Sequence, residues 1–191
     1  GECDGAMIFA SELKAFNNRT QNVQEFPAGT WYSSALGFQR FYDVPNRQPV
    51  RRTVEEHATL IRKTLERAVC KRMMSDVPVG AFLSGGLDSS IIAAIIRQHV
   101  DELHTFSVGL EGSRDLQAAR KVSAHLDTIH HEYTFTADEV RKKLSEIIYH
   151  LESFDQDLVR SAIPCYFTSR LAAQYVKVIH TGEGADELFA G

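Results

Sequence analysis

In AFLSGGLDSSII, residues 81–92, an apolar run stops at two glycines and another begins after Asp-Ser-Ser. A strand that turns into a helix leaves backbone amides without partners at the positive end of the helix dipole, which attracts anions. Gly85 and Gly86 let a polyphosphate approach the backbone closely. Three hydroxyls can donate to its oxygens, those of Ser84, Ser89 and Ser90. This turn therefore predicts a phosphate site.

Asp88, in the same turn, cannot bind phosphate directly because the two negative charges repel each other. Its presence is explained if Mg²⁺ lies between the carboxylate and the phosphates. The alternative is a tight turn in which Ser89 only caps the helix, but that explains neither the acid nor the second glycine. The P-loop pattern GxxxxGK[ST] occurs nowhere in the chain, so the lysine of that motif does not hold the phosphates.

A second glycine turn, TGEGADE at residues 181–187, follows an apolar run of valine and isoleucine. It does not fit the dinucleotide-binding pattern, because Glu187 stands where the third glycine would be. Its three carboxylates, on Glu183, Asp186 and Glu187, would repel one another in a partly buried cleft, which indicates a metal ion or a basic substrate group. The alternative is a solvated acidic helix start, favoured by the dipole.

Strands and helices alternate along the rest of the chain. The predicted strands are 77–83, 103–108, 131–136 and 176–181, and the predicted helices are 53–74, 89–99, 115–126, 138–151 and 163–175. Such alternation predicts an α/β fold with a mostly parallel sheet and helices on both faces. Ligands bind outside the carboxyl ends of such strands, so both glycine turns are expected at one edge of the sheet.

Residues before this region have a different pattern. Aromatic and apolar runs at 6–10 and 30–42 predict the edge of a β domain, and the proline- and arginine-rich stretch after them predicts a linker. We divide the chain into residues 1–44, a linker at 45–52, and a second domain at 53–191.

Composition limits the class of protein. The net charge is −4 over 191 residues and the basic residues are scattered, so no nucleic-acid partner is expected. The longest apolar run is far too short to span a membrane, and the three cysteines form no CxxC pair. These features predict a cytoplasmic protein with reduced thiols, and Cys70 and Cys165 fall on predicted helices as small buried residues. His130 and His131 are neighbours in a predicted strand and face opposite ways, which argues against a metal site there.

The two turns match known signatures. SGGLDSS, residues 84–90, resembles the pyrophosphate loop of the N-type ATP pyrophosphatases, and GEGADE, residues 182–187, resembles the second signature of the glutamine-dependent asparagine synthetases. Further similar segments are FASELKAF at 9–16, FPAGT at 26–30, GSRDLQAARKVSAHL at 112–126 and HHEYTFT at 130–136. The resemblance implies an adenine nucleotide alpha hydrolase-like sheet, preceded by a short β segment from an N-terminal-nucleophile glutaminase domain. It also implies a fragment, covering the end of that glutaminase domain and the first part of the synthetase domain.

The resemblance implies roles for individual residues. Pyrophosphate would be held by Ser84, Gly85, Gly86, Ser89 and Ser90, and Mg²⁺ by Asp88 and Asp186. The adenosine of ATP would contact Leu83, Val108, Thr181 and Gly182. Glu183 would be the catalytic residue that positions ammonia or takes its proton, and Arg160 would bind a substrate carboxylate. Asp157 and Leu158 stand where well-known members have threonines, which leaves the substrate carboxylate open.

In that family ATP and Mg²⁺ activate aspartate as β-aspartyl-AMP with release of pyrophosphate, and ammonia from glutamine then displaces AMP. The expected partners are therefore aspartate and glutamine or ammonia, and a homodimer is compatible with the family. An alternative is a relative that adenylates another carboxylate, as β-lactam synthetases do. The 191 residues alone are expected not to hydrolyse glutamine and to be inactive by themselves.

Overall fold

A computed structural model of the protein describes residues 1–16, 20–46 and 48–189. The chain forms two compact units, Gly1–Thr53 and Val54–Gly191. The assignment of the first unit to a glutaminase domain stays a prediction.

The first unit consists of short antiparallel pairs. Strands β1 (Glu2–Cys3) and β2 (Ala6–Met7) form one pair, and β3 (Thr30–Ser33) and β4 (Gly37–Arg40) form a second, with a 3₁₀ turn at Leu13–Ala15 between the pairs. Four aromatic rings pack together in this unit with centroids 5.1 to 5.8 Å apart, those of Phe9, Phe26, Tyr32 and Phe38.

The second unit contains a parallel four-stranded sheet. Its strands are β5 (Val79–Phe82), β6 (His104–Gly109), β7 (Ile129–Thr134) and β8 (Val178–His180), and their order across the sheet is β7, β6, β5, β8. The helices are α1 (Val54–Arg72), α2 (Leu87–Arg97), α3 (Arg114–Leu126), α4 (Ala137–Leu151), α5 (Gln156–Ala172) and α6 (Ala185–Phe189). The order of strands reverses at β5, because the chain goes from β5 outward to β7 and returns to β8 on the other side.

Alternate strand residues face two apolar cores. Ala81 and Leu83 pack with Val69 of α1 and Ile96 of α2, in a core that includes Ala119 of α3. On the opposite face, Phe106 packs with Ala172 at the end of α5 and with Val176 in the loop after it, and α4 packs against α5. The prediction of a parallel sheet with helices on both faces is confirmed.

Several boundaries differ from the prediction. Helix α2 begins at Leu87 rather than at 89, because Gly86 and not Ser89 is its N-cap. Helix α5 begins at Gln156, seven residues before the predicted start at 163, because the Asp155 carboxylate caps it by accepting from two amides. Strand β7 also begins two residues early, at Ile129. Within the described ranges, no helix combines the length and apolar character that crossing a membrane requires.

Candidate functional site

A pocket of about 390 Å³ lies at the carboxyl ends of β5, β6 and β8, bounded on one side by α5. This is where parallel α/β sheets bind ligands, and the volume suits a small molecule. Ten of the residues predicted for the site line it: Leu83, Ser84, Gly86, Asp88, Ser89, Val108, Thr181, Gly182, Glu183 and Asp186. Both glycine turns therefore open on one pocket, as the parallel sheet predicts.

Three predicted site residues do not line this pocket. Gly85 packs against α3, and the Ser90 hydroxyl donates to the Gly86 carbonyl at 2.6 Å. Arg160 is exposed on α5, one helical turn before Pro164, which does line the pocket. The roles assigned to individual residues stay predictions.

The first turn is held together by its own serines. The hydroxyls of Ser84 and Ser89 lie 2.9 Å apart, and Ser84 Oγ accepts from the Gly86 amide at 3.2 Å. The amide of Ser84 donates to Ser89 Oγ at 3.2 Å. Gly86 is the N-cap of α2 and has no side chain to cap it, so the first-turn amides of the helix face the turn without a side-chain acceptor. This arrangement suits an anion that supplies those acceptors.

The backbone conformation and the space around it differ at the two glycines of the first turn. Gly85 has φ +81°, and an added Cβ would lie 2.5 Å from Ala118 Cβ and from the Ala119 amide nitrogen of α3. Gly86 has φ −72°, and an added Cβ would meet only Ser84 Oγ, at 3.3 Å. The fold therefore explains the glycine at 85 and leaves the glycine at 86 without a structural reason.

The second turn packs directly on the first. An added Cβ at Gly182 would lie 3.0 Å from the Asp88 carbonyl carbon and from the Ser89 amide nitrogen, so glycine permits this approach. The amide of Glu183 donates to Thr181 Oγ1 at 3.2 Å, which fixes the start of the turn. The short helix α6 then begins at Ala185.

The pocket lining is strongly acidic. Five carboxylates line it, those of Asp88, Asp115, Glu183, Asp186 and Glu187, and the lining contains no lysine, arginine or histidine among the described residues. Within the same part of the chain, no three His, Cys, Asp or Glu side chains form a group arranged to hold a metal ion by themselves. An anionic ligand would therefore need a cation to enter with it.

Several lining residues were missed at the sequence level. Ser107 and Asp115 are polar residues at a strand end and a helix start, and Pro164, Cys165 and Thr168 come from the predicted part of α5, where no motif marked them. The prediction that Cys165 is buried is wrong, because its side chain is exposed at the pocket. Partial burial and the neighbouring Glu183 carboxylate raise the pKa of the Cys165 thiol, so it stays protonated at neutral pH.

His130 and His131 face opposite sides of the sheet, as the strand prediction requires. His130 Nε2 lies 3.0 Å from Ser107 Oγ, while the His131 ring stacks on His104 with centroids 5.1 Å apart. Burial lowers the pKa of both His130 and His131.

The family model and similar curated proteins agree on one family. The family model for asparagine synthase matches residues 60–191. The chain is 41% identical over 200 residues to an asparagine synthetase (glutamine-hydrolyzing) from Zea mays, covering 98% of this chain and 34% of that protein. It is 40% identical to asparagine synthetase (glutamine-hydrolyzing) 2 from Oryza sativa subsp. japonica, with the same coverage of 98% and 34%. The chain thus spans about a third of the length of these curated relatives.

Among solved structures, the chain is similar to an NH₃-dependent NAD synthetase from Campylobacter jejuni. The TM-score is 0.49 at 18% sequence identity, covering 68% of this chain and 58% of that one. The family model matches well over half of the residues, including both glycine turns. This chain belongs to the asparagine synthase family.

Proposed function

We propose that this chain forms the ATP-binding part of a ligase that makes asparagine from aspartate at the expense of ATP. The observation that carries the proposal is the meeting of the two glycine turns at one acidic pocket, in a chain similar to proteins named asparagine synthetase (glutamine-hydrolyzing). Ammonia would come from glutamine in the full protein that contains these residues. A cytoplasmic location and a homodimer remain predictions.

The first turn would hold the pyrophosphate of ATP. Ser84 and Ser89 present hydroxyls at the pocket, and Gly86 leaves the backbone open to close approach. Ser90 and Gly85 would support the turn without lining the pocket, since the Ser90 hydroxyl donates to the Gly86 carbonyl and Gly85 packs the turn on α3. The adenosine would lie along the strand ends and the second turn, at Leu83, Val108, Thr181 and Gly182.

The acidic lining fits Mg²⁺ as the accompanying cation. Protein sites for Mg²⁺ in nucleotide enzymes use one or two carboxylates, with the other positions filled by phosphate oxygens and water. Asp88 and Asp186 line the same pocket and provide such a pair. The bound ion would offset the negative charge of the departing pyrophosphate.

The chemistry would proceed in two steps on the aspartate side chain. A carboxylate oxygen attacks the α-phosphorus, and the bond from that phosphorus to the oxygen shared with the β-phosphorus breaks. Pyrophosphate is the leaving group and stays bound at the first turn. Ammonia then attacks the β-aspartyl-AMP carbon, the bond to AMP breaks, and Glu183 takes the proton released by nitrogen. Arg160, exposed on α5 one helical turn before the lining residue Pro164, would bind a carboxylate of the substrate.

Aspartate-dependent exchange between labelled pyrophosphate and ATP, measured on the full protein, tests this proposal. Exchange with aspartate supports it, because reversible formation of an acyl adenylate is required. Exchange that requires a carboxylate other than aspartate would favour a β-lactam synthetase-like enzyme. Asp157 and Leu158, which stand where well-known members have threonines, leave that alternative open. No exchange with any carboxylate would contradict both.

A further inference from the structure

A chain of partly buried hydrogen bonds connects α3 with the neighbouring strands and ends at the pocket. Ser123 Oγ on α3 lies 2.8 Å from Thr128 Oγ1, which lies 2.8 Å from Thr105 Oγ1. Thr105 Oγ1 lies 2.9 Å from His130 Nδ1, and Nε2 of the same ring lies 3.0 Å from Ser107 Oγ. Ser107 lines the pocket, so this chain of hydrogen bonds ends at a residue of the candidate site.

The partners of His130 determine where its proton lies. Its Nε2 also faces Glu132 Oε1 at 3.2 Å. Arg120 bonds that carboxylate at 2.8 to 2.9 Å and lowers the pKa of Glu132, so Glu132 is ionised and can only accept. His130 Nε2 must therefore carry a proton, shared between Glu132 and Ser107. Because burial lowers the pKa of His130, the ring is neutral and its Nδ1 accepts from Thr105.

With a proton on His130 Nε2, the bond between His130 and Ser107 does not use the hydrogen of the Ser107 hydroxyl, which can be donated elsewhere. Its oxygen accepts from His130, and within the described ranges His130 is the only hydrogen-bond partner of this side chain. Ser107 is 4% exposed, and a buried donor without an acceptor is costly. The space open to its hydrogen is the pocket that it lines.

We propose that Ser107 is a nucleotide-binding residue whose hydroxyl donates to an acceptor atom in the AMP portion of ATP, and that His130 positions that hydroxyl. The inference rests on the proposed function and adds two residues to it. Ser107 directly precedes Val108, and the neighbouring Leu83 amide donates to the Phe106 carbonyl at 2.9 Å. Ser107 therefore neighbours two positions expected to contact adenosine, Val108 along the strand and Leu83 across the sheet.

Calorimetric titration of the full protein with AMP and, separately, with magnesium pyrophosphate tests the role of Ser107. Ser107→Ala is expected to raise the Kd for AMP about three- to tenfold, as loss of one hydrogen bond does, with the Kd for pyrophosphate unchanged. Ser123→Ala is the matched control, since Ser123 is 5% exposed, belongs to the same chain of hydroxyls and does not line the pocket. It is expected to lower thermal stability to a similar extent and to leave both Kd values unchanged.

The positioning role of His130 is tested by a double-mutant cycle. His130→Gln, which keeps an amide donor, is expected to weaken AMP binding in the wild-type background and to have no further effect in the Ser107→Ala background. An equal effect in both backgrounds would show that His130 acts otherwise and would overturn this part. Thermal unfolding of each variant establishes that it is folded.

The outcomes separate this inference from the proposal on which it rests. If the wild-type protein binds AMP and Ser107→Ala binds it equally well, the inference is wrong and the proposed function stands. An equal loss for pyrophosphate and AMP would also overturn the placement of Ser107. If the wild-type protein binds neither ATP nor AMP, the proposed function fails and the inference fails with it.

Discussion

Replacing Gly86 with alanine separates what the fold needs from what a phosphate ligand needs in the first turn. In the unliganded protein, Gly86→Ala is expected to change the free energy of unfolding by less than about 1 kcal/mol. The reason is that φ −72° suits alanine and the new Cβ meets only Ser84 Oγ, at 3.3 Å. The same methyl would stand where the pyrophosphate approaches the backbone, and loss of one charge-assisted hydrogen bond costs about 1.5–3 kcal/mol, or about 10- to 150-fold in Kd.

Gly85→Ala is the matched comparison, one residue away. Its φ of +81° costs alanine about 1–2 kcal/mol. Contacts of 2.5 Å with Ala118 and Ala119 of α3 cost about 1–3 kcal/mol more, because backbone must move. Gly85→Ala is therefore expected to lose stability first and binding as a consequence.

Urea unfolding and titration with magnesium ATP, both on the full protein, measure the two effects. The expected pattern is a stable Gly86→Ala that binds ATP weakly and an unstable Gly85→Ala. If Gly86→Ala binds ATP as the wild type does, phosphate does not approach the backbone at this turn and the reasoning is refuted. If Gly86→Ala unfolds as readily as Gly85→Ala, the glycine at 86 is required by the fold, and the distinction between the two glycines is wrong.

Three further predictions concern Glu183 and Gly182 of the second turn, and His130. Glu183→Gln is expected to slow asparagine formation by about 10²- to 10⁴-fold while aspartate-dependent exchange of pyrophosphate into ATP persists; unchanged asparagine formation would remove Glu183 from catalysis. Gly182→Ala, whose Cβ would lie 3.0 Å from the Asp88 carbonyl carbon, is expected to lower both Tm and ATP affinity, in contrast to Gly86→Ala, and a normal Tm would contradict the contact between the turns. Burial lowers the pKa of His130 below 6.5, so the unfolded state binds more protons and the free energy of unfolding falls as the pH drops from about 7 to about 5. His130→Gln is expected to make that fall shallower in urea titrations at each pH, and an unchanged slope would count against the assignment.

Much of the fold follows from the sequence because its turns are clearly indicated by glycines. Glycines after an apolar run indicate the end of β5 and the start of α2 at residues 84–90, and the alternation of strands and helices predicts that both turns lie at one edge of the sheet, where the pocket is found. The start of α5 was missed, since the predicted helix began at 163. In the structure, Asp155 caps the helix earlier and Pro164 lies inside it.

The remaining site features depend on long-range packing, which local sequence does not encode. Gly85 and Gly86 are alike in sequence, and only the position of α3 and the sign of φ distinguish them. Ser107 reads as part of an apolar strand, and its role depends on the register that brings His130 of β7 beside it. Arg160 lies one helical turn from the pocket lining, which a motif match could not predict.

In the proposed function, the first turn holds pyrophosphate while ATP is cleaved between its α- and β-phosphates. Identification of the nucleotide products by ³¹P NMR, in the full protein with ATP, aspartate and ammonia, tests this most directly. AMP and pyrophosphate are expected, each formed in an amount equal to that of asparagine. Formation of ADP and inorganic phosphate in their place would contradict it.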